Sequence, residues 1–570
     1  MREQKKFGVV AVAMALISVA IIWAVGLGEA TEEIKGTPED QSASIYSYVK
    51  LLDKVAFFIN QRYVDSVDVK DMTFSGIRGM IETLDPFSSL QDAKAHGRLM
   101  EMTEGKYEGL GMTIAKRGDW ITVISPIEGT PAYRMGIRAG DKIVKIDGQS
   151  AKGMSSEEAS KLMRGERGTT VVLTIEREGV EELLEYEVER AIIELTNVPY
   201  HGVMDGGIGY VRLSKFSKDS GKELREALED LKSRGIKGMI FDLRSNGGGL
   251  LDQAVETANL FLDQDKLIVY TQGRTEVKKE FYASDEPVFP DGPLVVLVNE
   301  GTASASEIVS GAVQDWDRGV IIGNTTFGKG LVQQIYGMPN DTYLKLTIAK
   351  YYVPSGRCIQ KPERAKRQLV REEAQAEEEE EQAEIVEAEE KEVFYTKGGR
   401  KVYGGGGIVP DIEIDVPDLK PIEINLERQS MFFNFAVSYV AKHPDIPRDF
   451  EVNQHMLEEF RQFLKDEDFT YKSRLELDLE PLKDRIQKHE KPEMFSQTVA
   501  DLERLIEEDK EDDFDESIDY IKESLKRDIL NNLYGQKAWY EEVLLKTDPY
   551  IKKAYEILTD EREYAALLKE

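Results

Sequence analysis

The chain has 570 residues, with 74 Lys and Arg against 106 Asp and Glu, a formal charge of −32 at pH 7. Single cores rarely grow beyond about 250–300 residues, so several domains are expected, and the acidic balance argues against a nucleic-acid partner, because phosphate neutralisation needs basic patches. The lone cysteine, Cys358, cannot close an intrachain disulfide, so the fold is not disulfide-built and an oxidising compartment is tolerated without being indicated.

The first six residues, MREQKK, are mostly basic and lead into FGVVAVAMALISVAIIWAVGL (7–27), whose only clearly polar side chain is Ser18. Such a run is long enough to span a bilayer as a helix, and the positive-inside bias places the rest of the chain outside the cytoplasm. Residues 1–30 read either as an uncleaved anchor, leaving the protein on the periplasmic face of a bacterial inner membrane, or as a signal cleaved near GLGEA (26–30) to free it into the periplasm.

After a polar tether, apolar residues at three- and four-residue spacing predict a small helical domain over 43–99. Over 105–190, GLGMTI, WITVISPI, DKIVKIDG and TTVVLTIEREG are short β-type runs between Gly- and Asp-rich turns, with one helical segment near SSEEASKLMRG. Residues 196–415 alternate strands (GIGYVRL, GMIFDL, LVVLVN, GVIIG) with helical patterns, the signature of an α/β layer with its chemistry at the strand ends. Within it, residues 372–392 carry twelve Glu and one Lys, which favours a solvated insert over about 365–395. Residues 420–570 are charged and helical in pattern, without Gly-rich loops or metal-ligand spacing.

Three segments of the α/β region carry the chemistry. FDLRSNGGGLLDQAV (241–255) ends a strand in three glycines, which lets backbone N–H groups approach a ligand without Cβ obstruction. GTASASEI (301–308) places small serines at a helix start, where Ser304 and Glu307 also fit the S-x-x-E capping box. GNTTFGKGLVQQI (323–335) presents Lys329 between two glycines, with Gln333 four residues on.

A serine that attacks an amide needs a base, and all five histidines (His96, His201, His443, His455, His489) fall outside 206–360. A Ser–His–Asp triad within these motifs is therefore unavailable. Lysine serves if burial lowers its pKa, and Lys329 has no adjacent carboxylate in sequence to hold its proton. FGKG lacks the P-loop pattern and SASE lacks the S-x-x-K arrangement, so neither alternative fits.

Together, DLRSNGGGLL, NEGTASASEI, TFGKGLVQ, YYVPSGRCIQ and GGIVPDI resemble the C-terminal processing peptidases, or tail-specific proteases, over about residues 45–415. The resemblance implies a crotonase-like or ClpP-like α/β protease core, an inserted PDZ domain and Ser–Lys chemistry with no metal or organic cofactor. Carried over by motif, Ser304 is the nucleophile, Lys329 the general base, Gln333 the residue that orients it, and Ala305 and Gly248 the oxyanion donors, with Ser306 a structural neighbour. This chain has Gly247 where many relatives have Pro and Cys358 where many have Ser; neither change removes a catalytic group.

EGLGMTI (108–114) resembles a PDZ carboxylate-binding loop, so Gly109, Leu110, Gly111 and Met112 are expected to hold a substrate's C-terminus while the tail adds as a strand. GIRAGDKIVKIDG (136–148) supports the same module. Arg164, in KLMRGERG, reads either as a solvated helix-terminal charge or as a regulatory contact made when a tail is bound. The expected function is an exported serine endopeptidase acting on protein C-termini, tethered through residues 7–27, with a homo-oligomer allowed. Its rivals are an inactive PDZ scaffold and a crotonase-like acyl-processing enzyme.

Overall fold

The computed structural model describes residues 45–362 and 392–569. The apolar run 7–27 and residues 363–391, which hold nearly all of the acidic insert, lie outside the described residues. Among those described, no helix is long and apolar enough to cross a membrane. The chain divides into two compact units, 1–84 and 85–570.

The first unit contains α1 (Ile45–Arg62) and α2 (Val69–Glu82). Asp68 caps α2, its carboxylate accepting the N–H groups of Lys70 (2.8 Å) and Asp71 (3.1 Å). This satisfies donors that a helix start leaves orphaned.

The second unit opens with β1 (Ser89–Asp92) and α3 (Ala93–Glu104). Residues 89–92 thus form a strand inside the stretch predicted to be helical. Asp85 turns the chain by accepting the N–H groups of Phe87 and Ser88, and SLQD then pairs antiparallel with residues 342–345. Next, β2 (Lys106–Gly109) leads into a small barrel-like sheet of β3 (Met112–Arg117), β4 (Trp120–Pro126), β5 (Lys142–Ile146), β6 (Thr170–Glu176) and β7 (Leu184–Glu189), in the order β3-β4-β5-β6-β7, with α4 (Ser156–Met163) between β5 and β6 in the chain. Ile121, Val123, Ile143, Ile146, Leu173 and Ile175 make its dry core. β8 (Ala191–Glu194) pairs with β2 and closes the module's two ends together.

The α/β core is built on β9 (Tyr200–Met204), β10 (Ile208–Arg212), β11 (Gly238–Asp242), β14 (Leu294–Val298), β15 (Val320–Gly323) and β18 (Ile412–Glu413), adjacent in that order and parallel apart from β9. A second sheet contains β12 (Leu267–Gln272), β13 (Lys279–Tyr282), β16 (Leu331–Met338) and β17 (Thr342–Tyr352), with β1 on the edge of β17. Parallel strands are buried on both faces, and here each face has its own cover. Met239, Phe241, Leu294, Val296 and Ile321 point toward α5 (Ser220–Ser233), α6 (Leu251–Asn259) and α7 (Ala305–Asp315). Ile240, Val295, Leu297, Val320 and Ile322 point the other way, onto Tyr540, Ile551, Ala554, Ile557 and Leu558.

The C-terminal helices therefore supply the second layer of the core sheet. Their own cluster, centred on Phe432, Phe435, Phe460 and Leu525, continues away from it. Helix α8 (Met431–Lys442) also supports the small β module: Arg117 donates to Asn434 at 2.8 Å and lies 4.1 Å from the Phe433 ring centroid. Close to the end of the chain, α9 (Pro549–Thr559) packs against β11, β14 and β15.

Candidate active site

Strand β14 ends at residue 298, and Ser304 follows after a tight turn, immediately before α7. Ser304 has φ 56° and ψ −114°, unlike the extended backbone of an ordinary N-cap residue. Its hydroxyl makes no cap hydrogen bond. Only the carboxylate half of the capping arrangement resembles the sequence expectation, with Glu307 Oε2 accepting the Ser304 N–H at 2.7 Å. Such local strain is characteristic of functional positions.

Glu307 is fully buried and fastens two loops together. Oε2 also accepts the Lys329 N–H at 2.9 Å, while Oε1 accepts the Gly328 N–H at 2.7 Å and the Thr326 hydroxyl at 2.6 Å. Burial raises the Glu307 pKa, and these hydrogen bonds oppose the rise. A second tie comes from Tyr351 on β17, whose hydroxyl donates to the Lys329 carbonyl. Burial pushes that phenol well above its ordinary pKa, the Glu307 charge adds to the effect, and a hydrogen bond with Ser304 opposes it. Tyr351 is therefore a neutral hydroxyl linking the Ser304 side chain and the backbone of Lys329.

The glycines around Lys329 serve close packing. A Cβ on Gly328, at φ 80°, would lie 3.2 Å from the Gly407 nitrogen, and one on Gly330 would lie 2.9 Å from that of Gln360. The Lys329 ammonium lies 4.6 Å from the Phe87 ring centroid. Burial lowers its pKa, Lys345 lowers it further, and the charges of Glu307 and Asp85 partly oppose this. Among the described residues no carboxylate forms an ion pair with it, and no direct hydrogen bond joins its side chain to that of Ser304. Gln333 lies on β16, opposite Thr347, with its Nε2 buried and unpartnered.

The glycine-rich loop after β11 reaches the same place. A Cβ on Gly248, at φ 92°, would lie 2.8 Å from both the Ala305 nitrogen and the Ser304 Cβ, so only glycine allows this approach. The Ala305 N–H opens α7 and has no backbone acceptor among the described residues. The Gly248 N–H, by contrast, donates to Asn246 Oδ1 at 2.9 Å. Asn246 also accepts, through its carbonyl oxygen, the Ser306 hydroxyl at 2.9 Å and the Ala303 N–H at 3.0 Å. Ser306 is thus fully engaged in holding the loop to α7.

In the small β module, the carbonyls of Leu110 and Gly111 are tied inward, accepting from Ala132 N–H and Ile127 N–H at 2.9 Å each. In trans peptides this turns the N–H groups of Gly111 and Met112 outward. β3 pairs only with β4, so its other edge is open among the described residues, with α4 packed nearby. Arg164 follows α4, forms an ion pair with Glu101 of α3 and lies 4.7 Å from the Tyr107 ring centroid. Its Cγ is 3.7 Å from where a Cβ of Gly109 would be, so it borders the loop.

Ser304, Lys329 and the glycine loop are legible in the sequence, whereas nothing there assigns a role to Tyr351, Thr326 or Asn246. For Tyr351 the only signal was its place in the YYVPSGRCIQ motif.

Three family models match the chain: peptidase family S41 over 207–365, a PDZ domain over 122–177, and the C-terminal helical domain of a probable PDZ-protease over 422–558. A carboxy-terminal-processing protease of Bartonella bacilliformis is 41% identical over 307 residues, covering 53% of this chain and 70% of that one. The carboxy-terminal processing protease CtpA of Bacillus subtilis is 37% identical over 311 residues, covering 54% and 66%. Among solved structures, a photosystem II D1 C-terminal processing protease shares 30% identity, with a TM-score of 0.34 and coverage of 55% and 84%. The peptidase match sets aside the acyl-processing reading. The chain belongs to the carboxy-terminal-processing proteases of peptidase family S41, as a serine-type peptidase carrying a PDZ domain and a helical C-terminal region.

Proposed function

We propose that this chain is an exported endopeptidase that binds protein C-terminal tails through its PDZ domain and cleaves near that end with Ser304 as nucleophile and Lys329 as general base. Neutral Lys329 takes the Ser304 proton as Oγ attacks the scissile carbonyl carbon, and the resulting ammonium returns a proton to the leaving amine. Water then attacks the acyl-enzyme, with the same lysine as base. Gln333 offers its amide to orient Lys329.

The developing oxyanion is met by the open Ala305 N–H. Gly248 N–H becomes the second donor when Asn246 Oδ1 shares or releases it. The observation that carries the reading is the joint anchoring of nucleophile and base on one carboxylate oxygen, Glu307 Oε2, with the lysine charge disfavoured by burial. The open edge of β3 and the outward amides of Gly111 and Met112 suit a tail added as a strand. Residues 7–27, as an anchor or a cleaved signal, would bring the enzyme to the periplasmic side of the membrane.

The test is turnover of a protein bearing a susceptible tail by Ser304→Ala and Lys329→Ala. Both variants are expected to be folded and inactive, and their losses should not add, because nucleophile and base act as one unit. Turnover at the wild-type rate by either folded variant would refute the dyad.

A further inference from the structure

The α/β core leaves a charge uncompensated beside its glycine-rich loop, and the C-terminal region supplies it. Asp242, at the end of β11, is fully buried. It accepts the Tyr210 hydroxyl at 2.7 Å and pairs with Arg212 at 3.3 Å and Arg244 at 2.7 Å. One carboxylate thus faces two guanidiniums within the core. The missing anion is Asp548, just before α9, whose two oxygens accept from Arg244 Nη1 at 3.0 and 2.8 Å. Arg244 is itself buried, and its guanidinium lies 4.8 Å from the Tyr550 ring centroid. Arg244 also bonds Asp242 through Nε at 3.0 Å and Nη2 at 2.7 Å, so losing Asp548 would strip the partner from Nη1 and leave two guanidiniums on one buried carboxylate, an imbalance that burial penalises.

Arg244 stands two residues before Asn246, which holds Gly248, Ala303 and Ser306. The same helix turn also reaches the other loop: the Tyr550 hydroxyl donates to Asn324 Oδ1 at 2.5 Å. Asn324 begins the 324–330 segment that ends in Lys329 and Gly330, and its amide is anchored on the Ile414 carbonyl at 3.0 Å. We infer that the first turn of α9, contributed by the C-terminal region, positions both loops of the protease site, with Asp548 and Tyr550 as positioning residues for C-terminal processing. This rests on the assignment of Ser304 and Lys329 as the reacting pair. The helical region is then an obligatory part of the catalytic unit, because it completes a salt-bridged cluster on the nucleophile side and a hydrogen bond on the base side.

The test uses the full chain and a protein substrate with a susceptible tail, reading kcat and KM separately. In Asp548→Asn the side chain can still cap α9, where Asp548 accepts the Ile551 N–H at 3.0 Å, so the helix end is kept while the charge is lost. Expected is a fall in kcat of about a hundredfold, the scale of a 1 Å displacement at a reacting centre, with KM unchanged because tail binding lies elsewhere. Tyr550→Phe keeps the ring over Arg244 and removes only the bond to Asn324, so kcat should fall about tenfold. Wild-type kcat in folded Asp548→Asn would overturn the inference. If that variant does not fold, Tyr550→Phe decides, and wild-type kcat there would overturn it. Ser304→Ala measured alongside separates the two ideas: if it turns over substrate the nucleophile assignment fails, whereas an inactive Ser304→Ala beside a fully active Asp548→Asn defeats only the positioning role.

Discussion

Glu307→Gln keeps the size of the side chain that joins the loops of Ser304 and Lys329 and removes one acceptor. The carboxylate receives four donors, two on each oxygen. If the new NH2 replaced Oε2, it would face the N–H groups of both Ser304 and Lys329, leaving two buried donors unpaired. Replacing Oε1 is less costly, because the Thr326 hydroxyl can turn and accept; Thr326 already accepts the Ile408 N–H at 2.7 Å. Gly328 N–H and the Thr326 O–H then both lose Oε1 as their acceptor, at about 1–3 kcal/mol for a buried donor left without another. Part of that is offset, since burial disfavours the charged carboxyl and the amide carries no charge. The net stability loss should be about 1–3 kcal/mol. The rate should suffer more, because Gly328 adjoins Lys329 and a displacement of its loop changes the Ser304–Lys329 geometry, by about tenfold to a hundredfold in kcat for shifts up to 1 Å. The assay pairs kcat on a tail-bearing protein with a thermal denaturation midpoint. Wild-type kcat in Glu307→Gln would refute the role of this carboxylate in holding the pair.

The pH–rate profile should rise through an ionisation below the ordinary lysine value of 10.5, since burial disfavours the ammonium and the rate is lost as pH falls through the lowered pKa; Lys329→Arg should be inactive throughout, and an ionisation retained in that variant would refute the assignment. In full-length Ser304→Ala, amidating the C-terminus of a susceptible peptide should weaken binding, because the outward amides of the 110–112 loop lose a charged acceptor; equal affinity for acid and amide would remove that role. Arg164→Ala should slow cleavage of PDZ-dependent proteins and spare small peptides that reach Ser304 unaided, since the side chain borders the carboxylate loop through Gly109 and Tyr107; equal losses on both substrates would indicate destabilisation instead.

The residues that meet at the site were legible as motifs because each obeys a local rule: a Gly run where backbones approach, a small serine at a helix start, a lysine without a carboxylate beside it. What local rules could not reveal was the direction of the contacts. S-x-x-E is visible at 304–307, but the pattern suggests a serine hydroxyl capping the helix, whereas the carboxylate turns back to hold both loops and leaves the hydroxyl near Tyr351. Residues 89–92 were hidden in a helical pattern because four residues on a sheet edge carry too little periodicity to stand out. The largest gap lies in the C-terminal region. Continuous apolar strands such as LVVLV imply cover on both faces, and Ile551, Ala554, Ile557 and Leu558 form a helical stripe, yet nothing local states that this stripe covers that sheet. Likewise, the need of Arg244 for a second carboxylate is invisible until Asp548 is placed beside it.

The most direct measurement of the central claim is trapping of the acyl-enzyme. A rapidly acylating ester of a tail-bearing peptide, quenched in acid and mapped by mass spectrometry, should place the acyl group on Ser304. Ser306→Ala should still be labelled at Ser304, because the Ser306 hydroxyl is occupied with the Asn246 carbonyl, and Lys329→Ala should not accumulate the adduct. An acyl group on Ser306, or full turnover with no adduct at Ser304 in any variant, would contradict the account.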